Sequence, residues 1–433
     1  MDFDVIVVGA GAAGLAAARD LSAAGKRVCV LEARERIGGR IHTIRETGSA
    51  LPIELGAEFI HGEAEETFAI VDAAGLLAYE LPDEHWWSRG GRWTRVNDFW
   101  GEMARIRSRI GDGPDRSFAD FIKSQRSLSP RAKELATNFV EGYHAAHADR
   151  ISARALQLAD GEQESGASRQ FRIGSGYDTL MSWLRTGLDP QRSTLRLGTA
   201  VTDVVWREGH VAIRTARGEE LTAKAAIITI PIGVWKAPAG QPGAISFTPE
   251  LRNKQRAIAK LEVGHVVKII LRFRERFWDD EVFLDSHTQG RSPNFIHVFD
   301  SDIPTWWTPA PVRAPMLTAW AGGHAADKLQ AESPESRIDR ALQSLATTFG
   351  MTRAKLDALL DATHAHDWQA DPFSRGAYSY AGVGGTRAHK ELAKAAESTL
   401  FFAGEVTSGD ETGTVAGAIA SGKRAAREWL KSA

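Results

Sequence analysis

Phe3-Asp4-Val5-Ile6-Val7-Val8-Gly9-Ala10-Gly11-Ala12-Ala13-Gly14 opens the chain, and Arg27-Val28-Cys29-Val30-Leu31-Glu32 follows after an Ala/Leu-rich run. The apolar run Val5 to Val8 reads as a buried parallel strand, the run to about Ala24 as a helix stopped by Gly25, and Arg27 to Leu31 as a second strand. In Gly9-x-Gly11-x-x-Gly14, Gly9 permits a tight turn, Gly11 lets backbone approach a pyrophosphate, and Gly14 lets helix pack on strand. The helix start, at Ala13, offers unpaired N–H groups and the positive end of the dipole to phosphate. Glu32 lies eighteen residues past Gly14, close to the ~20 expected of a carboxylate that binds ribose hydroxyls. With both strands, the helix and the acid present, the unit predicts a dinucleotide ligand, NAD or FAD.

The 433 residues suffice for two or three domains, and 43% hydrophobic with 25% charged residues is ordinary for a globular protein. A net charge of −2 offers no electrostatic attraction for nucleic acid or a membrane surface. The single cysteine, Cys29, rules out a disulfide framework or a Cys-rich metal centre, and no metal is expected. The fingerprint starts at the fourth residue, no apolar run reaches the ~20 residues of a membrane helix, and the tail Glu428-Trp429-Leu430-Lys431 is polar. These features predict a cytoplasmic protein, monomer or homodimer. Clustered tryptophans (Trp86-Trp87, Trp93, Trp100, Trp306-Trp307, Trp320, Trp368) suggest an aromatic-lined pocket, although most large aromatics serve only as core.

Segment character alternates along the chain. Residues 64–160 read as mostly helical, with amphipathic stretches at 66–75, 98–110, 117–125 and 130–147. Strands are expected at 194–197, 201–206, 210–215, 225–230, 263–273, 294–299 and 316–320, and helices at 335–349 and 352–360. Thr399 to Glu405 reads as a buried strand entering a turn, and Thr414 to Leu430 as a small-residue helix. That late strand and helix need a sheet, and the first βαβ unit provides one. The expected architecture is α/β: a discontinuous nucleotide domain (1–62, 172–236 and 386–433) with a mixed α+β substrate domain inserted (63–171 and 237–385).

Five blocks, in order from Asp4 to about Arg427, resemble the flavin-dependent amine oxidase family of monoamine and polyamine oxidases and flavin lysine demethylases. The resemblance implies a Rossmann-type, glutathione reductase-like FAD domain. It makes the ligand FAD. In the first block, Glu32-Ala33-Arg34-Glu35-Arg36-Ile37-Gly38-Gly39-Arg40, Gly39 and Arg40 sit against pyrophosphate and flavin in the family; a guanidinium beside two glycines can reach a diphosphate bidentately. The second, Glu54-Leu55-Gly56-Ala57-Glu58-Phe59-Ile60-His61-Gly62, resembles the polyamine-oxidase segment that passes the isoalloxazine ring; Gly56 and Ala57 are small, as close approach to a flat ring requires. His61 matches a substrate-facing histidine, a polar contact or a proton carrier near neutral pH, and reads equally as a hydrogen-bonded loop histidine.

In the third block Lys268 stands inside an apolar strand run, where burial of an amine needs a purpose. The family bonds this lysine through water to flavin N5. The fourth block, Asp367-Trp368 to Tyr380, carries Trp368, which packs near the flavin in the family, and Tyr378, one wall of the amine cage. Monoamine oxidases attach FAD through a cysteine where this chain has Ala377, so the FAD is expected to be non-covalent. The fifth block contributes Gly404 and Glu405 near ribityl and pyrophosphate, and Thr414-Val415 at the start of a helix facing the flavin pyrimidine. Thr414 replaces the second cage tyrosine of monoamine oxidases, which leans the pattern toward the polyamine oxidase branch. Val201 matches the residue whose backbone meets adenine.

The implied reaction is oxidation of an amine C–N bond: hydride leaves the α-carbon for flavin N5, the imine hydrolyses to aldehyde or ketone plus amine, and oxygen becomes hydrogen peroxide. An apolar pocket favours the neutral amine by penalising the ammonium. An L-amino acid oxidase or a related flavin oxidoreductase would need a carboxylate-binding arginine, for which Arg89, Arg92 and Arg95 near Trp93 are candidates. A flavin-bound interaction protein without turnover is a third reading, disfavoured by the presence of Lys268, Trp368 and Tyr378. A polyamine would need acids for its distal ammonium groups; Glu58, Glu162 and Glu164 are candidates.

Overall fold

The computed structural model describes residues 1–160 and 169–433. Its first sheet grows from β1 (Phe3–Val8), which feeds α1 (Ala12–Ala23) and then β2 (Val28–Leu31). The eight strands run Ser193–Arg196, β2, β1, Glu220–Ile228, His210–Thr215, Val201–Arg207 and Ser246–Thr248, with Leu400–Phe402 also paired to Glu220–Ile228. The nine residues Glu220–Ile228 make this branching possible. Their first half pairs antiparallel with His210–Thr215, and Ala226 to Ile228 pair parallel with Leu400 to Phe402.

Alternation explains why the parallel strands read as continuous apolar runs. Val5, Val7, Val28, Val30, Ala225, Ile227 and Phe401 face one cluster, which holds α1 and the last helix, Val415–Ser432. Ile6, Val8, Cys29, Leu31, Ala226, Ile228 and Phe402 face the other, against Val204, Val211 and Ile213. Both faces are covered, so neither position of the pleat is polar. Cys29 lies wholly buried there, and burial pushes its thiol up to about 12. Gly14 is demanded by packing: an added Cβ would stand 1.9 Å from the Gly9 carbonyl oxygen.

A second, seven-stranded sheet runs Leu360–Ala365, Val266–Phe273, Met316–Gly322, Thr305–Trp307, Phe295–Val298, His85–Arg89 and Arg92–Val96. Lys268 sits opposite Trp320 in it. Helices Pro334–Thr348 and Arg353–Leu359 cover one side, and Phe99–Arg107, Phe118–Ser124 and Pro130–Tyr143 pack as a further cluster with Trp87 and Tyr380. Among the described residues, no helix is long and apolar enough to cross a membrane.

Two expectations need correction. The segment 64–160 is not mostly helical through its middle: His85–Arg89 and Arg92–Val96 form a hairpin. Gly90 and Gly91 turn it, with φ of 54° and 74°, the left-handed pair that a tight hairpin requires. The amphipathic stretch 130–147 stops as a helix at Tyr143, and the chain turns at Ala145 with φ of 50°. That turn faces the site.

Candidate active site

One cavity of about 740 Å³ lies between the two sheets. Of the residues singled out from the sequence, Gly9, Gly11, Ala13, Glu32, Ala33, Arg34, Gly39, Arg40, Gly56, Ala57, Glu58, His61, Val201, Lys268, Trp368, Tyr378, Gly404, Glu405, Thr414 and Val415 all line it. Gly14 does not; it lies behind, between helix and strand. Elements from both ends of the chain and its middle therefore meet on one space.

Whether this space suits a dinucleotide is decided by its polar wall. The Glu32 carboxylate accepts the backbone N–H groups of Ala10 at 2.8 Å and Arg34 at 2.9 Å, which fixes it in the cavity wall. Helix α1 starts at Gly11 with no side-chain cap, so its first N–H groups point into the space. Gly11 pairs with Gly38, and a Cβ on Gly39 would lie 3.5 Å from the Gly11 Cα. The 18-residue helix Val415–Ser432 presents a second N-terminus, capped by Thr414, which accepts from the Gly417 N–H at 2.9 Å. Arg40 stands between them, donating to Glu405 at 2.9 Å and to the Ala377 carbonyl. Two helix starts, a glycine cradle and one guanidinium form a donor set that fits a dinucleotide phosphate, and the Glu32 carboxylate adds an acceptor of the kind that binds ribose hydroxyls.

The inner part of the cavity is aromatic. Trp368 donates from its indole to the Leu55 carbonyl at 2.9 Å, which holds the ring against Gly56. A Cβ on Gly56 would stand 1.9 Å from the Arg40 carbonyl oxygen and 3.1 Å from the Trp368 ring. Tyr378 donates its hydroxyl to the Tyr143 carbonyl at 2.7 Å, so the turn that ended the preceding helix sets the tyrosine's direction. Burial raises the Tyr378 phenol well above its ordinary value. Phe59, Tyr143, Phe295, Trp307 and Trp320 complete this wall. Of the clustered tryptophans, Trp100, Trp307, Trp320 and Trp368 reach the cavity, whereas Trp86 and Trp306 are core.

Lys268 is buried, and its ammonium donates to the Gly56 carbonyl at 3.0 Å and to Glu58 at 2.7 Å. Glu58 also accepts from Arg172 at 2.8 Å and from the Trp307 indole at 3.1 Å. Burial alone would raise its carboxyl; Lys268 and Arg172 outweigh that and hold it below its ordinary value. A carboxylate engaged by two cations and an indole is not a receptor for a substrate ammonium, which removes Glu58 from that candidacy. Glu162 and Glu164 lie outside the described residues.

His61 is enclosed in the wall, 5.2 Å from the Tyr143 ring, and burial lowers its pKa to about 4. The neighbouring His144 is lowered to about 3, by burial first and then by Arg107 and His61. Both rings are neutral at pH 7, and this desolvation works against His61 as a proton carrier near neutral pH. Arg89 and Arg95 point away to Glu134 and Glu84, and neither they nor Arg92 line the cavity. They sit on the hairpin of His85–Arg89 and Arg92–Val96, and their candidacy as carboxylate binders lapses. Tyr143 and Phe59 were not singled out, whereas Trp307 belongs to the clustered tryptophans expected to line a pocket. The one sequence signal for Tyr143 was its place at the end of an amphipathic helix.

Residues 12–430 match the family model described as flavin containing amine oxidoreductase. The chain belongs to this family. It is 31% identical over 462 residues to polyamine oxidase 2 of Arabidopsis thaliana, covering 98% of this chain and 87% of the relative, and 30% identical to polyamine oxidase 3 of Oryza sativa subsp. japonica, with 98% and 88% covered. Among solved structures, putrescine oxidase bound to putrescine superposes with a TM-score of 0.82 at 22% identity, covering 100% of this chain and 99% of that one. Cyclohexylamine oxidase from Brevibacterium oxydans IH-35A does so with 0.83 at 21%, over the same shares. The α/β architecture with a Rossmann-type nucleotide sheet is that of these flavin oxidases.

Proposed function

We propose that this flavin amine oxidoreductase holds FAD without a covalent bond and oxidises an amine at the carbon bearing nitrogen, in the manner of the polyamine oxidase branch. The observation that carries the reading is Lys268: a buried ammonium that opens on the same cavity as the glycine cradle, Trp368 and Tyr378. Glu32 would bind the ribose. The start of α1 and Arg40 would hold the diphosphate, the start of Val415–Ser432 would face the ring's pyrimidine edge, and Val201 the adenine. Ala377 leaves no thiol for attachment. Segments 1–62, 172–236 and 386–433 would make up the FAD domain.

The chemistry that a bound FAD supplies is two-electron oxidation of the amine-bearing carbon, with dioxygen reduced to hydrogen peroxide. Around it, the residues of this chain set the conditions. Trp368 and Tyr378 flank the amine, and the Tyr143 carbonyl keeps the phenol in place. Phe59, Trp307 and Trp320 exclude water, so the ammonium form is penalised and the neutral amine is held. His61, neutral, orients the nitrogen without taking its proton. Lys268 holds an ordered water or anionic oxygen near its Nζ. The imine leaves and hydrolyses to an aldehyde or ketone and an amine.

Hydrogen-peroxide release by the yellow holoprotein across monoamines, polyamines and amino acids tests the reading. Peroxide with at least one amine, and bleaching of the flavin by that amine without oxygen, is expected. Neither response with any amine overturns it.

A further inference from the structure

Behind the Tyr378 wall, three ligand-type side chains converge on one point. His147 Nε2 lies 2.7 Å from one carboxylate oxygen of Asp327, and His265 Nδ1 lies 2.6 Å from the other. All three ligand atoms fall within 4.8 Å of one another. We propose that His147, His265 and Asp327 bind one divalent transition-metal ion of the zinc type.

Two imidazoles and one carboxylate are a donor set that suits zinc and its neighbours and suits magnesium or calcium poorly. Bonds of about 2.0–2.2 Å to N and O place adjacent ligands about 3–3.5 Å apart. Small rotations of His265 and Asp327, both half exposed, open the present contacts to that spacing. His147 is already oriented. It is buried, and its Nδ1 lies 3.1 Å from the Tyr380 hydroxyl, which also accepts the His147 backbone N–H at 3.3 Å. The Tyr380 hydroxyl serves Nδ1 as donor or as acceptor, so moving the imidazole proton from Nε2 to Nδ1 frees the Nε2 lone pair for a cation placed between His147 and Asp327. An outer hydrogen bond of this kind is what metal-bound histidines make.

The surroundings agree. Among the described residues, no lysine or arginine forms an ion pair with Asp327. His324 packs 4.8 Å from the His147 ring, but Glu141 and Asp149 engage its two nitrogens, so it adds acidic neighbours rather than a ligand. Exposure of His265 and Asp327 leaves room for water to complete the coordination. The site also joins three segments: the turn after Pro130–Tyr143, strand Val266–Phe273 and helix Gly323–Gln330. The His265 N–H already donates to the Ala145 carbonyl and the Gly323 N–H to that of His265, both at 3.1 Å. An ion here would brace the turn whose Tyr143 carbonyl holds Tyr378. The three ligands lie far apart in the chain, at 147, 265 and 327, so neither cysteine count nor local spacing signals them, and the expectation of no metal does not hold for this proposal.

The test uses flavin-loaded protein stripped with chelator, given zinc chloride, desalted, and measured for bound metal and Tm. One zinc per chain and a raised Tm are expected for the wild type, with no rise for magnesium chloride. His265→Gln and Asp327→Asn, each retaining the flavin spectrum, should bind zinc at least about tenfold more weakly. Zinc content equal in wild type and both variants, no zinc in the wild type, or an equal response to magnesium each overturns the proposal.

Discussion

The ammonium of Lys268 and the carboxylate of Glu58 meet at 2.7 Å, buried, beside the Gly56 backbone. A strand residue of the second sheet is thereby locked to the loop that passes the nucleotide cavity. The same carboxylate holds Arg172, so one anion serves two buried cations.

Lys268→Met should leave a yellow protein, because the lysine touches no part of the phosphate cradle. Flavin reduction by amine, or its reoxidation by oxygen, should slow by about two orders of magnitude or more, the scale of a positioned proton or charge partner. Stopped-flow traces for both half-reactions decide it, and unchanged rates would remove the lysine from the chemistry.

Glu58→Gln removes the anion and leaves Lys268 and Arg172 buried together. Breaking a buried pair in this way costs about 3–5 kcal/mol. Denaturant unfolding of the holoprotein should show a loss of that order. A loss under ~1 kcal/mol would mean that water or movement relieves both cations.

Glu54 accepts from the Thr43 hydroxyl and the Tyr177 N–H, both at 2.7 Å, yet burial raises its carboxyl to about 7. A raised folded-state pKa means that the native protein holds the proton more tightly than the unfolded chain. The stabilisation is full below the unfolded value near 4.5 and is lost as pH rises through about 7. Glu54→Gln should flatten the fall in Tm between those values, worth up to about 3 kcal/mol. Parallel Tm–pH curves for the two proteins would contradict the assignment.

Gly56→Ala would put a methyl 1.9 Å from the Arg40 carbonyl oxygen and against Trp368. Relief requires a shift of the Arg40 backbone, at about 1–3 kcal/mol. Flavin binding should weaken about tenfold or more, read by fluorescence titration of the apoprotein. Unchanged affinity would show that the loop relaxes away from the cavity.

How much was legible in the chain depends on the range of the interaction. β1, α1 and β2 were readable because a strand buried on both faces is apolar throughout and a phosphate turn needs glycine at set spacings. The Gly90–Gly91 hairpin carried a turn signal, but its tryptophans and surrounding polar residues obscured the strand period. His61 and Glu58 come from one block and both line the cavity. Their charge states were not readable, since desolvation and the cations that face Glu58 come from distant segments.

Sequence alone determined the nucleotide fold and a dinucleotide ligand, because both rest on local periodicity and close backbone approach; the choice of FAD followed from the resemblance of the five blocks to the family. Tertiary structure alone decided which charges cancel. Glu58 meets Arg172 across 114 residues and Lys268 across 210, and Tyr378 takes its direction from a carbonyl 235 residues away. Such pairings depend on how sheets and turns are placed in space, and no spacing along the chain encodes them.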